Sequence, residues 1–488
     1  MSYRLFCVVV TTLVISSHAF ADEAEKKVPK SGDPPAPVES TGTVAIDGKD
    51  VAYTVRAGFL PQRDDAGKQT ATIFHTAYTV ESDSPRPLTF CFNGGPGSAS
   101  VWLHLGMLGP VRVDFPDDPV KPSPPFRLEP NDASLLDVTD LVFVDPVGTG
   151  FSDAEDPKNR KDFWGLEQDV TSVGRFIHDY LTEHDRWDSP LYLLGESYGT
   201  LRVSATADHL RREYNIEPSG LVLISAVLDF QTLRFDSDVA HVAFVPAYAA
   251  TAAYHGKLAE NPSPADAYAA AEKFAYGPYA AALLRGSSLP PDQLEKLADR
   301  MSALIGLPAE TLVEHDLRVP MGLFAELLLD NEDRNVGRFD SRYTGLESAA
   351  PDGRADFDPS YEALAGPFTA GINQYLRADL GVETPDKYRV LGFVRGWDYG
   401  RFEGRYVNVA GRLERAMRQS PDLRVFVAAG LFDLATPPGG IRHTLDHLGP
   451  RSLRQRVTVE TYPAGHMMYV DTGSLTKLRT DLVDFYDN

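Results

Sequence analysis

Residues 191–199 read Leu-Tyr-Leu-Leu-Gly-Glu-Ser-Tyr-Gly. Leu191 to Leu194 make a short apolar strand, and the run from Gly199 to about Glu213 reads as a helix. Between them, Gly195-Glu196-Ser197-Tyr198-Gly199 fits the pattern Gly-x-Ser-x-Gly at a strand-to-helix turn. Such a turn lifts a serine hydroxyl above the end of a sheet, and its glycines remove side chains where strand and helix crowd together. Ser197 is the candidate nucleophile.

The same rhythm extends to both sides. Leu88 to Phe92, Leu141 to Asp145, Leu221 to Ile224, Leu423 to Ala429 and Val457 to Thr461 are further apolar strands. Trp164 to His184 carries Val170, Val173, Ile177, Tyr180 and Leu181 on one helical face, and Leu475 to Tyr486 reads as the last helix. Thr43 to Ile46 and Val51 to Val55 alternate as edge strands do. Apolar strands alternating with amphipathic helices predict an α/β fold with a mostly parallel central sheet and helices on both faces. The rhythm breaks over residues 228–400, which are rich in Ala, Tyr, Pro and helix formers. This stretch is expected to be a mainly helical cap insertion between a first core part, 41–227, and a second, 401–488, lying over the carboxyl ends of the strands. Within it, residues 331–358 are dense in charge and Gly and read as a loop.

The chain has 488 residues and a formal net charge of −22, which argues against nucleic acid as a partner. Arg4, the apolar run Leu5 to Ile15 and Ala19-Phe20-Ala21 have the pattern of a signal peptide over residues 1–21. Residues 22–40, rich in Lys, Pro, Ser and Glu, read as a flexible linker. The expectation is an exported protein, periplasmic or extracellular, with no stable membrane insertion after signal cleavage. Of two cysteines, Cys7 leaves with the signal and Cys91 stands alone, so no intrachain disulfide is expected. Together with the lack of an Asn-x-Ser/Thr acceptor, this leans toward a periplasm. No metal-ligand or cofactor-binding spacing is found. The oligomeric state is left open.

A serine hydroxyl needs a base, and in the α/β-hydrolase fold the chain order is Ser, then acid, then His, each past the end of a strand. Asp433 follows the strand that ends at Gly430, and His466 follows Val457 to Thr461. His466 would take the Ser197 proton, and Asp433 would hold the imidazole. His241, His255, His315, His443 and His447 read as structural or surface residues. Acyl transfer also needs an oxyanion hole. The glycine-rich turn Asn93-Gly94-Gly95-Pro96-Gly97 follows an early strand, so the backbone N–H groups of Gly95 and Tyr198 are the candidate donors. The turn lacks the Gly-Lys-Ser/Thr of a phosphate loop. Glu196 beside the nucleophile would repel an oxyanion unless burial keeps it protonated.

Four motifs in order, Asn-Gly-Gly-Pro-Gly at 93–97, Asp-Pro-Val-Gly-Thr-Gly-Phe-Ser at 145–152, Gly-Glu-Ser-Tyr-Gly at 195–199 and Gly-His-Met at 465–467, resemble the serine carboxypeptidase family. The resemblance implies an α/β-hydrolase fold with a helical cap and removal of residues from peptide C-termini, best at acidic pH. It implies Ser197, Asp433 and His466 as a triad, with Gly95 and Tyr198 as oxyanion donors. Peptides with a free C-terminal carboxylate become the expected substrates. Asn93, Gly94 and Glu196 are the implied binders of that carboxylate, and Met467 the lining of the leaving-residue pocket. Three positions depart from the family pattern. Cys91 stands where the family has Trp, Ser98 where it has Cys, and Met107 where it has the Glu that pairs with the one beside the nucleophile. His104 is the neighbour that could replace that Glu. These departures keep a second reading open, an esterase, amidase or acyltransferase on the same scaffold. A non-catalytic binding protein is a third.

Overall fold

The computed structural model describes residues 36–346, 357–392, 394 and 396–487. The signal segment 1–21 and most of the linker 22–40 lie outside the described residues. The chain is already in strand at Val38, a little ahead of the expected onset, because Val38 to Ile46 pairs along its length with the next strand.

Nine strands form the path of the central sheet: β1 (Val38–Ile46), β2 (Lys49–Arg63), β3 (Gln69–Thr79), β4 (Leu88–Phe92), β5 (Asp140–Val144), β6 (Leu191–Glu196), β7 (Gly220–Ile224), β8 (Arg424–Gly430) and β9 (Val457–Tyr462). Their order is β1-β2-β3-β5-β4-β6-β7-β8-β9, with Asp153–Ala154 pairing on β3 as a tenth strand. From β5 to β9 every pairing is parallel. The first three strands are antiparallel, as is the β3–β5 junction. Asp47 and Gly48, both with positive φ, turn β1 into β2, as a two-residue hairpin requires.

Strands β4, β5, β6 and β7 are buried at every position, which is why they read as unbroken apolar runs. Two apolar clusters cover the two faces. On one side Val170, Val173 and Ile177 of α1 (Leu166–Glu183) and Leu201 and Leu210 of α2 (Tyr198–Tyr214) pack with Phe90, Leu193 and Leu223. On the other, Cys91, Leu194 and Val222 face a different set of partners. Alternate residues of one strand thus serve opposite cores, the period-two signature of a sheet covered twice.

Between β7 and β8 the chain builds helices α3 (Asp238–Tyr254), α4 (Pro264–Phe274) and α5 (Pro291–Ile305), which share a separate apolar cluster. Helix α6 (Pro359–Gln374) instead adds Leu364, Phe368 and Ile372 to the sheet-face cluster with Cys91. The stretch expected as a loop holds a short hairpin, Arg334–Val336 with Thr344–Leu346. Its connection descends on the carboxyl ends of β8 and β9. Leu434 N–H donates to the Arg338 carbonyl (3.0 Å), Ser341 N–H to Phe432 (3.0 Å) and His466 N–H to Phe339 (2.6 Å). The last helix, α7 (Thr472–Asp487), packs Leu475, Leu478 and Leu482 on the same face as α6.

Candidate active site

Ser197 sits between β6 and α2 with φ 58° and ψ −126°, a left-sided conformation that L residues avoid. The strain is held by surrounding contacts. Ser197 N–H donates to the Ile224 carbonyl at 3.0 Å. A Cβ on Gly195 would lie 2.2 Å from the Gly199 carbonyl oxygen, and one on Gly199 would lie 2.3 Å from that of Phe92. Both positions therefore exclude any side chain. Ser197 is partly exposed while Glu196 before it is 2 % exposed, so the turn presents the hydroxyl and hides its neighbour. Tyr198 is the first residue of α2, where an N–H has no acceptor within the helix and the helix dipole favours an anion.

The structure brings Asp433 and His466 together. Both are buried, and His466 Nδ1 lies 2.8 Å from Asp433 Oδ2. Asp433 Oδ1 accepts from the N–H groups of Ala435 (2.7 Å) and Thr436 (2.9 Å). The Thr436 hydroxyl is 2.8 Å from Asp433 Oδ2, 3.1 Å from His466 Nδ1 and 2.9 Å from the Ser225 carbonyl. Burial works against both ions. For Asp433 the His466 charge and these hydrogen bonds outweigh it and hold the carboxyl below its ordinary range. For His466, burial lowers the pKa, but the Asp433 charge and hydrogen bond and the Glu196 charge together outweigh it and the imidazole is raised. Ser225, itself at φ 49°, donates its hydroxyl to the His466 carbonyl (2.5 Å) and its N–H to Ala428 (2.8 Å). Ser197 and His466 are thus both tied to Ile224–Ser225, where β7 ends. Thr436 and Ser225 were not found from the sequence, since a Thr three residues past an acid carries no motif.

The 93–97 turn is fixed from beneath. Arg202 on α2 is fully buried; its Nε donates to Asp169 (2.8 Å), Nη1 to the Asn93 carbonyl (2.5 Å) and Nη2 to Pro96 (3.2 Å). Gly95 has φ 102° and is exposed. A Cβ on Gly94 would stand 2.5 Å from the Tyr198 amide nitrogen. The missing side chain lets the turn pack directly on residues 196–198.

Glu196 accepts a hydrogen bond from the Tyr469 hydroxyl at 2.5 Å. Burial pushes its carboxyl up to about 7, opposed by His466, Tyr469 and Asn93. The Asn93 amide is near enough to act on Glu196, yet among the described residues its Nδ2 meets no acceptor at hydrogen-bonding geometry, while Oδ1 takes the Leu103 N–H (3.1 Å). A buried donor thus stands open beside a protonatable acid. His104 is engaged elsewhere. It bonds Tyr78 Oη (2.6 Å) and stacks on Phe143 with 4.3 Å between ring centres, and burial lowers its pKa to about 3. Tyr469, not His104, is the partner of Glu196. Met107 and Met467 lie in the apolar cluster with Cys91, Met467 at 8 % exposure. Ser98 accepts from Trp102 Nε1 (2.9 Å). Among the described residues, no group of three or more His, Cys, Asp or Glu could hold a metal ion, and no helix is long and apolar enough to cross a membrane.

Comparison with known proteins bears on this geometry. Residues 46–230 match the family model described as serine carboxypeptidase. That segment contains the 93–97 turn and Ser197 and stops short of Asp433 and His466. A pheromone-processing carboxypeptidase KEX1 of Yarrowia lipolytica is 28 % identical over 180 residues, 36 % of this chain and 27 % of the relative. A venom serine carboxypeptidase of Apis mellifera is 28 % identical over 187 residues, 37 % of this chain and 36 % of the relative. The matched stretch therefore spans about a third of those relatives. The fold extends further. A solved prohormone-processing carboxypeptidase from Saccharomyces cerevisiae superposes with a TM-score of 0.53 at 16 % identity, covering 89 % of this chain and 91 % of that one. The central sheet and its helices are those of an α/β-hydrolase.

Proposed function

We propose that this chain, whose residues 46–230 match the serine carboxypeptidase family model, is an exported serine-type carboxypeptidase that releases C-terminal amino acids from peptides. In this reading residues 228–400 cap a core made of 41–227 and 401–488. Peptides with a free C-terminal carboxylate are the substrates. The observation that carries the reading is the pairing, next to Ser197, of a buried Glu196 whose pKa is about 7 with the open amide of Asn93. A neutral carboxyl, an amide and the Gly94 N–H are all donors, and three donors converging beside a nucleophile suit an anion.

The chemistry runs in two steps. His466 removes the Ser197 proton as Oγ adds to the scissile carbonyl carbon, and the N–H groups of Gly95 and Tyr198 take the oxyanion. The C–N bond breaks as His466 gives that proton to the leaving nitrogen, which leaves an acyl group on Ser197. Water, deprotonated by His466, then adds to the acyl carbon, and the C–Oγ bond breaks as His466 returns the proton to Ser197, which releases the shortened peptide. Asp433 stabilises the imidazolium in both steps, and Met467 lines the leaving-residue pocket.

An acidic preference follows from two groups. The donor form of Glu196 disappears as pH rises through about 7. Protonating Glu196 also removes an anion that raises the His466 pKa, so His466 becomes an available base further into the acid range. Purified protein incubated with a free-acid peptide at acidic pH should release single C-terminal residues, and Ser197→Ala should release none. Endopeptidase fragments, or release that persists in Ser197→Ala, would reject the reading.

One observation favours a second reading, an esterase, amidase or acyltransferase. Met107 and Cys91 are buried in an apolar cluster where the family pattern has Glu and Trp. Under that reading the rate is indifferent to whether the substrate ends in a carboxylate or an amide.

A further inference from the structure

We infer that Arg338 binds a carboxylate on the leaving residue, so that the site favours peptides ending in an acidic amino acid. The inference rests on the carboxypeptidase reading and adds a substrate class to it.

Arg338 lies on the connection that covers the ends of β8 and β9. The Phe339 carbonyl on this connection accepts the His466 N–H at 2.6 Å, so loop and imidazole are held together. The Phe339 ring is 5.1 Å from the His466 ring, and the Arg338 guanidinium lies 5.1 Å from the centre of the Phe339 ring. Arg338 is exposed, and among the described residues its guanidinium has no ion-pair partner. Two acids lie close in the chain. Asp340 pairs with Arg342 (2.7 Å), and Asp358 Oδ1 accepts from the Ser360 hydroxyl (2.5 Å) and from the Arg338 backbone N–H (3.1 Å), while the buried Oδ2 makes no ion pair with Arg338 among the described residues.

The direction of the chemistry gives this cation its meaning. His466 hands its proton to the leaving nitrogen, so the leaving residue occupies the His466 side of Ser197. Asn93, Gly94 and Glu196 lie on the other elements of the site, before β6 ends and after β4. A leaving residue held by its main-chain carboxylate there would direct its side chain toward the Phe339–Arg338 face. Phe339 offers an apolar wall and Arg338 a planar, exposed cation, a pairing that suits the short stem and carboxylate of Glu or Asp. Arg338 also acts electrostatically on His466, which places its charge within reach of the reacting groups.

The test compares kcat/KM for four peptides that differ only at the C-terminus: Glu, Gln and Lys as free acids, and Glu as its C-terminal amide. Wild type should prefer Glu to Gln by about two- to five-fold, the scale of one exposed ion pair. Arg338→Gln should bring that ratio near one, and Arg338→Glu should turn the preference toward Lys. Labelling of Ser197 by a fluorophosphonate reports whether each variant keeps an assembled site. If the Glu:Gln ratio is near one in wild type, or unchanged in Arg338→Gln, the inference is overturned. If the ratio holds but the variant instead loses discrimination between free acid and amide, the carboxylate recognised is the main-chain one. Should no peptide be cleaved, the carboxypeptidase reading fails separately. Arg338 is then judged on phenyl acetates whose leaving phenol carries a carboxylate or a carboxamide. An Arg338-dependent preference for the anionic phenol upholds the role of the cation, and no preference removes it.

Discussion

The Tyr469 hydroxyl donates to Glu196 at 2.5 Å, and both groups are buried, Glu196 immediately before Ser197 in the chain. A phenol thus occupies the place that a second carboxyl would take. It cannot share a proton symmetrically as a carboxyl pair can, because its own pKa is far higher. The pair titrates as one acid, Glu196, which burial raises to about 7 and the phenol's hydrogen bond pulls down.

Glu196→Gln removes that titration. For free-acid peptides, wild-type KM should rise as pH passes upward through about 7, where the carboxyl ionises and repels the substrate anion. The Gln variant keeps a donor at all pH values, so its KM should lack this limb. A steady-state pH series on one peptide checks it, with an ester lacking a carboxylate as the control that shows no such limb in either protein.

Tyr469→Phe leaves the Glu196 carboxyl with one hydrogen bond fewer in a buried place. That hydrogen bond lowers the Glu196 pKa, so its loss should move the alkaline limb upward. The buried group left unsatisfied should cost about 1–3 kcal/mol of stability. Thermal melting and the same pH series measure the two effects.

Raised carboxyl pKa values also set a stability trend. Glu196 binds its proton more tightly in the folded state than in the unfolded chain. Its contribution to stability is therefore present below the ordinary carboxyl range and is lost as pH rises through about 7. Denaturant midpoints for wild type should decline more steeply between pH 5 and 8 than those of Glu196→Gln.

Thr436 bridges Asp433, His466 and the Ser225 carbonyl through one oxygen. Thr436→Val keeps the shape and removes the hydroxyl. Asp433 then loses a donor that lowers its pKa, and His466 loses a contact that aligns it. We expect kcat to fall by roughly ten-fold, the scale of one charge-assisted hydrogen bond, with the acid limb of kcat displaced. Thr436→Ser should restore both. A loss of kcat with an unmoved pH profile and no rescue by Ser would reduce Thr436 to a packing residue.

Much of this was legible in the sequence, for physical reasons. Strands β4 to β8 are buried on both faces and so read as unbroken apolar runs. The turn around Ser197 needs glycine at 195 and 199 because the backbone carbonyls of Gly199 and Phe92 leave no room for a Cβ, so the spacing betrays the geometry. The partner of Glu196 was not legible. His104 is close to the 93–97 turn in the sequence, but β3 and β5 give it Tyr78 and Phe143, and the true partner, Tyr469, comes from the far end of the chain. The hairpin at 334–346 was hidden for a different reason. It is short and polar, and what holds it is its descent onto Phe432, Leu434 and His466, a tertiary contact without local signal.

The central claim is that Ser197 serves a site built to recognise a terminal carboxylate. Its most direct test is mass spectrometry of one peptide as free acid and as C-terminal amide, each incubated with wild type and with Ser197→Ala. Stepwise loss of C-terminal residues from the free acid alone, absent in Ser197→Ala, is expected. Equal cleavage of both peptides by wild type would contradict it, and would assign Asn93 and Glu196 to another acyl-transfer reaction.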